Sequence, residues 1–192
     1  KNNINQIIFA STSAIFGELS SNISENSSPM EPLSHYGAAK LASEAFISSY
    51  NENYGLQSWI IRFPQVVGER ATHGVIYDFI NKLKANPLEL DVLGNGEQEK
   101  PYVYIDDIIN GILFIWDSSN ENNNVFNIGT DSQTQVKNIA NMIIKEMGLN
   151  AKINYTKSNR GWIGDVPKYK FDLTKIHKLG WEVQRSSDDA VL

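Results

Sequence analysis

Cysteine and a strong excess of charge are both lacking in this sequence. None of the 192 residues is a cysteine, which excludes disulfide bonds, thiolate metal sites and cysteine nucleophiles together. The formal net charge is -5, so no basic field of the whole molecule would attract nucleic acid or anionic lipid. We therefore expect neither nucleic acid nor a membrane as a partner, and a cytoplasmic location fits this composition.

Long hydrophobic runs and pairs of metal ligands are lacking as well. No apolar run approaches the roughly 18–20 residues of a membrane span. The three histidines, His35, His73 and His177, lie far apart in the sequence, and none belongs to a pair with ligand spacing. The sequence therefore predicts no metal site.

A glycine-rich phosphate loop is also missing. A dinucleotide-binding half should carry G-x-x-G-x-x-G after its first strand, and this sequence has no such motif. The chain opens at Lys1 without a signal peptide and runs directly into an apolar segment. Its end, Asp188–Leu192, reads as a helix that has been cut short. These features predict that the chain is a fragment of a longer protein.

Apolar runs alternate with stretches of helical periodicity along the chain. Buried strands are predicted at Gln6–Ala10, Ser58–Phe63, Leu88–Leu93, Tyr102–Ile105, Val125–Ile128 and Lys152–Tyr155. Helices are predicted at Ser34–Tyr54, at Val75–Leu83, from an Asp106 cap to Asp117, from a Thr134 cap to Gly148, and at Asp172–Leu179 before Gly180. Strands separated by helices of this length imply βαβ units and a parallel sheet. The predicted fold class is α/β.

Two further local predictions concern the first third of the chain. The Ser/Asn/Pro-rich segment Ser20–Pro32 is typical of a loop. In the Ser34–Tyr54 helix, which Gly55 would end, one stripe carries Ala38, Leu41, Ala42, Ala45, Phe46 and Ser49.

The pentapeptide Tyr36–Lys40 carries the first candidate chemistry. Its phenol and its ammonium lie four residues apart, hence on one face of a helix. A nearby ammonium favours the phenolate form of a tyrosine, which would then accept a proton from a substrate hydroxyl. The same spacing also arises by chance on an exposed helix turn with a solvated lysine, and the pentapeptide alone leaves both readings open.

Thr12 lies just past the first predicted strand. The carboxyl ends of strands are where open parallel sheets bind ligands. The hydroxyls of Ser11, Thr12 and Ser13 could orient the same substrate oxygen that Tyr36 would deprotonate. The alternative is a turn whose hydroxyls bond to backbone groups.

Beyond these residues the sequence resembles the extended short-chain dehydrogenases/reductases, the NAD-dependent epimerase/dehydratase type. Phe9–Gly17 is similar to their F-x-S-S/T-x-x-x-Y/F-G segment, and Thr12 precedes Tyr36 by the 24 residues usual in that family. Further matches, in order, are Arg62–Arg70 to R-x-x-N-V-x-G-P-R, Gly94–Lys100 to G-x-G-x-Q-x-R, Tyr102–Asp107 to F-x-Y-V-x-D, Asn127–Gly129 to N-I-G, and the tail at Gly164–Pro167 and Leu179–Trp181.

This resemblance implies a catalytic set and a cofactor. Tyr36 would be the catalytic acid/base, Lys40 would hold the nicotinamide ribose, and Thr12 would bond the sugar hydroxyl under attack. The cofactor would be NAD, bordered by Ser11, Tyr36, Lys40, Phe63 and Pro64. The glycine-rich NAD-binding segment would precede this chain.

The resemblance also implies a nucleotide-sugar site. Besides Thr12, its residues would be Gln65, Lys100, Tyr102, Arg160 and Asp165. Gln65 replaces the usual Asn at the diphosphate, and Lys100 replaces an Arg and loses its bidentate fork. Arg160 is the candidate second clamp, although two more residues separate it from Gly164-Asp165 than in the commonest R-x-G-D form. Asp165 would orient a clamp or a loop.

The residues after Thr12 bear on the reaction. Dehydratases of this family carry an acidic residue there, whereas Ser13 and Ala14 follow here. The resemblance therefore favours 4-epimerisation of a UDP-hexose, as in a UDP-glucose 4-epimerase, with the isolated chain inactive. Another nucleotide-sugar enzyme, such as a 4,6-dehydratase or reductase, and a non-catalytic nucleotide-sugar-binding module stay open.

The family also suggests an organisation for the chain. Residues 1–70, joined by 101–130, would belong to the Rossmann NAD-binding domain. Residues 71–100 and 131–192 would form a smaller nucleotide-sugar-binding domain. Dimerisation is expected through the Ser34–Tyr54 helix.

Overall fold

A computed structural model describes residues 4–19, 22–156 and 158–192. Its strands are β1 (Gln6–Thr12), β2 (Gln57–Phe63), β3 (Gln65–Val67), β4 (Glu89–Val92), β5 (Glu99–Lys100), β6 (Tyr102–Tyr104), β7 (Asn123–Asn127), β8 (Thr134–Gln135) and β9 (Lys152–Tyr155). Its helices are α1 (His35–Tyr54), α2 (Val75–Ala85), α3 (Ile105–Ser118), α4 (Val136–Glu146), α5 (Thr174–Leu179) and α6 (Ser187–Val191). The predicted α/β class with parallel strands is confirmed.

A parallel sheet in the order β1-β2-β7 forms the centre of the first unit. Helices α1 and α3 cover its opposite faces. Side chains alternate between the two faces along β2, so this strand contacts both helices. Arg62 binds Glu44 of α1, whereas the indole of Trp59 donates to the Ser119 carbonyl at the end of α3. Since β1 lies at one edge of this sheet, the Thr12 end of that strand is positioned by β2 and α1.

A second unit is built on the parallel pair β4 and β9. Helices α2 and α4 pack against each other and bury Phe79, Leu83, Ile139 and Ile143 with the strand residue Leu90. The short pairs β3 with β6 and β5 with β8 connect this unit to the first sheet, and the latter pair is antiparallel.

The hydrophobic cores largely follow the predicted division into two domains. At two places they do not. Tyr169, Phe171 and Trp181, from the predicted second domain, pack in the core of the first sheet, and Tyr102 packs with the second unit. The division itself stays a prediction.

Two predicted helix caps are wrong. Helix α3 begins after Tyr104, and Asp106 lies within its first turn without capping it. Helix α4 begins after Gln135, because the Thr134 hydroxyl is fully buried and bonds Ser187 and Asp188 instead. A side chain that finds a tertiary partner is unavailable to the backbone amides next to it.

The apolar stripe of α1 does not face the core. An apolar stripe on a surface helix normally packs inward, but α1 buries Gly37, Glu44, Ile47 and Asn51. Of the predicted stripe only Leu41 is partly buried, and 69% of the Phe46 side chain is exposed. The predicted Ser20–Pro32 loop starts at residues outside the described part of the chain. From residue 22 to residue 32 it is irregular apart from one bridge to Phe171.

Among residues 4–19, 22–156 and 158–192, no helix combines the length and apolar character needed to cross a bilayer. In the same residues, no group of three or more His, Asp or Glu side chains could hold a metal ion.

Candidate active site

Thr12 ends β1 and is almost fully buried. Its Oγ1 accepts a hydrogen bond from the Ala14 amide at 3.2 Å, which caps a short 3-10 turn at Ser13–Phe16. The register pairs Thr12 with Phe63, so that Phe63 and then Pro64 lie next to it at the carboxyl edge of the sheet. The structure therefore brings Thr12, Phe63 and Pro64 to the edge at which parallel sheets bind ligands.

Helix α1 presents Tyr36 beside this edge. Ser34 caps the helix by accepting from the Gly37 amide at 3.1 Å. A Cβ on Gly37 would lie 2.5 Å from the Ala14 carbonyl oxygen, so only glycine allows the first helical turn to approach the turn that follows Thr12. The Tyr36 side chain is 57% exposed at this position.

Lys40 lies one helical turn after Tyr36. Its Nζ donates to the Ala10 carbonyl of β1 at 2.7 Å and lies 5.8 Å from the centroid of the Tyr36 ring. The structure thus brings Lys40 next to Tyr36 and, through Ala10, next to β1, the strand that Thr12 ends. The catalytic role of these three residues stays a prediction.

Behind these residues lies a buried ion pair that the sequence motifs did not indicate. Arg62 donates to both carboxylate oxygens of Glu44, from Nη2 at 2.7 Å and from Nε at 3.1 Å. The Ser11 hydroxyl donates to the same carboxylate. Ser11 was predicted to border the cofactor, but its hydroxyl lies inside the protein, where it holds Glu44 and thereby joins β1 to α1. The sequence feature that could have indicated this ion pair is the four-residue spacing between Lys40 and Glu44, which places both side chains on one face of α1.

Four of the six predicted nucleotide-sugar residues line a common cavity, whereas Thr12 and Arg160 are not among the residues that line it. Gln65, Lys100, Tyr102 and Asp165 surround a space of about 330 Å³. Gln65 is the first residue of β3 and lies two residues after the end of β2. The other walls of the cavity are mostly apolar and aromatic, as in many small-molecule sites; they include Val75, Phe79, Leu93, Val136 and Trp162.

Carboxylates hold both candidate diphosphate clamps. Lys100 Nζ lies 2.5 Å from Asp165 Oδ1, and the other oxygen of Asp165 accepts from the Gly161 amide at 3.0 Å. Asp165 therefore contacts both the candidate clamp Lys100 and the loop backbone at Gly161. Arg160 forms an ion pair with Glu18, just past the 3-10 turn, which the sequence did not predict. An incoming diphosphate would exchange with these carboxylates.

Buried tyrosines connect the two halves of the site. Burial raises the pKa of Tyr169 to about 12, although the nearby Ser13 and Gln65 oppose this rise. Burial also raises the pKa of Tyr102, and the nearby Tyr169 and Asp165 add to the effect. Both phenols stay neutral near pH 7, as an unperturbed tyrosine does, and Tyr102 lines the cavity. Sequence motifs did not indicate Tyr169.

Comparisons with known proteins show the family of the chain. Residues 1–129 match the model of the NAD dependent epimerase/dehydratase family. The "Putative UDP-glucose 4-epimerase" of Methanocaldococcus jannaschii is 33% identical over 187 residues, which cover 95% of this chain and 59% of that protein.

Solved structures of epimerases are similar to this chain as well. A crystal structure of UDP-galactose 4-epimerase superimposes with a TM-score of 0.87 at 34% identity, covering 97% of this chain and 61% of that one. UDP-glucuronic acid 4-epimerase from Bacillus cereus, in complex with UDP-glucuronic acid and NAD, gives 0.84 at 30% identity, covering 97% and 59%. The chain thus spans about three fifths of the proteins that it resembles.

Proposed function

Because the chain belongs to the NAD dependent epimerase/dehydratase family, we propose that its parent protein is an NAD-dependent nucleotide-sugar 4-epimerase that acts on a UDP-hexose. The observation that carries this proposal is the placement of two residue sets. Thr12, Tyr36 and Lys40 meet at the carboxyl edge of the sheet, and the diphosphate candidate Lys100 lies with Gln65 in the adjoining cavity. The names of the similar epimerases support a UDP-sugar as substrate.

The residues present fit NAD. Phe63 and Pro64 offer an apolar border next to Thr12, and the exposed Tyr36 and the Lys40 ammonium offer polar partners for a ribose. When bound, NAD would supply a reversible acceptor for the hydride at C4 of the sugar.

The chain's own residues would carry the proton. Tyr36 would take the proton of the C4 hydroxyl as the hydride leaves, and would return it after the hydride comes back to the other face. Lys40 stabilises negative charge on the phenol oxygen through its own positive charge. Thr12 would hold the same sugar oxygen, its Oγ1 remaining free to donate because the Ala14 amide only occupies it as an acceptor.

The residues after Thr12 favour epimerisation over dehydration. Loss of water from C5 and C6 requires an additional acid and base, and the 3-10 turn after Thr12 begins with Ser13 and Ala14. The nearest carboxylate along the chain, Glu18, is paired with Arg160. With only a phenol, a hydroxyl and an ammonium at the reacting carbon, reversible oxidation of one carbinol is the reaction that the site supports best.

The isolated 192 residues are proposed to bind NAD poorly and to turn over little. They contain no glycine-rich phosphate loop, and they span only 59% of the similar archaeal protein. Tight, stoichiometric binding of NAD to this chain alone would contradict this inference.

A homodimer through α1 also belongs to this proposal. The outward stripe of the helix carries alanines next to Phe46, Tyr50 and Tyr54, whose side chains are 69%, 54% and 77% exposed. A small-residue stripe with aromatic edges allows two helices to approach closely and to bury their apolar surface.

The catalytic assignment is tested in the longest natural chain that contains this sequence. We would add UDP-galactose and NAD⁺ and follow UDP-glucose through a coupled dehydrogenase. Tyr36→Phe should lower kcat at least about 100-fold, because proton transfer by a positioned acid/base contributes 10²–10⁴-fold. Tyr50→Phe, on the exposed face of the same helix, should keep the wild-type rate.

Two other results would redirect the assignment. If Tyr36→Phe retained most of the turnover, the acid/base role of Tyr36 would be wrong. Binding of UDP-sugar without exchange at C4 would instead select the non-catalytic binding module.

A further inference from the structure

The loop at residues 158–165 carries two side chains that the family motif does not explain. Trp162 and Ile163 stand between Arg160-Gly161 and Gly164-Asp165, where the commonest motif has no such pair. Trp162 is 58% exposed and Ile163 is 97% exposed. Because single exposed apolar side chains are common on protein surfaces, exposure alone assigns no role, and the position of each side chain relative to the cavity decides.

Trp162 lies at the mouth of the nucleotide-sugar cavity. It lines that cavity together with Lys100 and Asp165. The turn that carries it is closed by the Asp165 amide, which donates to the Trp162 carbonyl at 3.1 Å, and by the Asp165 carboxylate, which accepts from Gly161. The backbone around Trp162 is therefore held by Asp165, whose carboxylate also orients the Lys100 ammonium.

The loop is also attached to the catalytic side. Arg160 pairs with Glu18, in the segment that follows Thr12. Gly164 has a φ of +97°, and a Cβ at that position would lie 3.0 Å from Trp162 Cζ3 and 3.2 Å from the Leu33 carbonyl oxygen. Leu33 immediately precedes Ser34, the cap of the helix that carries Tyr36. Trp162 thus lies between the diphosphate candidate Lys100 and the start of α1.

From this position we infer that Trp162 packs against the hexose ring of the substrate. This inference rests on the proposed function, because a UDP-hexose held by Lys100 must extend its sugar toward Tyr36. An indole offers a flat apolar face to the C–H groups of a sugar ring and one N–H donor to its hydroxyls. The Glu18–Arg160 pair and the close approach of Gly164 to Leu33 hold this face over the sugar.

The test compares the affinities of UDP and UDP-hexose. In the longest natural chain, dissociation constants for UDP and for UDP-galactose are measured by titration calorimetry for the wild type, Trp162→Ala, Trp162→Phe and Ile163→Ala. Trp162→Ala should weaken UDP-galactose by about tenfold, the effect of one lost aromatic contact, while UDP changes less than twofold. Trp162→Phe keeps a ring and should restore most of the affinity. The neighbouring Ile163→Ala should match the wild type.

The readout separates this role from a merely structural one. A collapsed loop would displace Asp165 and Lys100 and weaken UDP and UDP-galactose equally, and that result would overturn the inference. Unchanged affinity for both ligands in Trp162→Ala would overturn it as well. If the wild type bound UDP but no UDP-hexose, both this inference and the proposed function would fail, whereas equal losses in Trp162→Ala leave the proposed function intact.

Discussion

At the scale of single residues, the buried Glu44 carboxylate joins the elements that carry the candidate site residues. It accepts from Ser11, next to Thr12, and from Arg62, next to Phe63, and it lies one turn after Lys40 on α1. Three elements that carry site residues therefore meet at one carboxylate. The Glu44 and Arg62 side chains are only 7% and 5% exposed, so neither charge can turn to solvent if its partner is lost.

Replacement of Glu44 should therefore be costly. Glu44→Ala leaves the Arg62 guanidinium buried and uncompensated, and we expect it to lower the free energy of unfolding by about 3 kcal/mol. Glu52→Ala, at an exposed position of the same helix, should change it by less than about 0.5 kcal/mol. Urea denaturation of both variants measures the difference. Equal stabilities would show that Glu44 is not needed to compensate Arg62.

At the scale of elements, the long periodic segments were predictable and the short ones were not. The helix from Ser34 to Gly55 and strand β2 follow from capping, periodicity and an apolar run. Strands β3, β5 and β8 have only two or three residues, which is too short for any period to show, and they form only because tertiary contacts place their partners beside them. The Thr134 cap failed for a related reason, since a buried partner competed for the hydroxyl.

The orientation of α1 could not be predicted from the sequence either. The presence of an apolar stripe does not determine whether the stripe packs against the core of its own chain or against another chain. In α1 the side that faces the core carries Glu44 and Asn51. Both are polar, and both are satisfied by tertiary partners: Arg62 for Glu44, and the carbonyls of Leu56 and Asn122 for Asn51.

The exposed stripe of α1 leads to a prediction about assembly. Phe46→Asp would place a charge at the centre of the proposed helix contact, so the variant should be monomeric where the wild type is dimeric. Leu88→Asp, at a side chain that is 73% exposed outside α1, should keep the wild-type mass. Light scattering after size-exclusion chromatography measures both masses. A dimer that persists in Phe46→Asp would place the interface elsewhere.

At the scale of the whole molecule, the candidate catalytic residues lie at the carboxyl edge of the sheet, and four predicted nucleotide-sugar residues line an adjoining cavity. The family resemblance led to the prediction that Gln65, Lys100, Tyr102 and Asp165 belong to one site, and these four residues line one cavity. The ion-pair partner of Arg160 was not predictable. Glu18 and Arg160 are 142 residues apart in the sequence, and neither stands in a motif that indicates the other.

The most direct test of the proposed chemistry follows the hydrogen at C4. The longest natural chain is incubated with NAD⁺ and UDP-galactose deuterated at C4, and the product is identified by NMR. Transient oxidation at C4 predicts UDP-glucose that keeps its deuterium at C4, because the hydride that leaves the sugar returns to the same carbon. A 4-keto-6-deoxy product would identify a dehydratase, and UDP-glucose that has lost its deuterium would contradict the proposed mechanism.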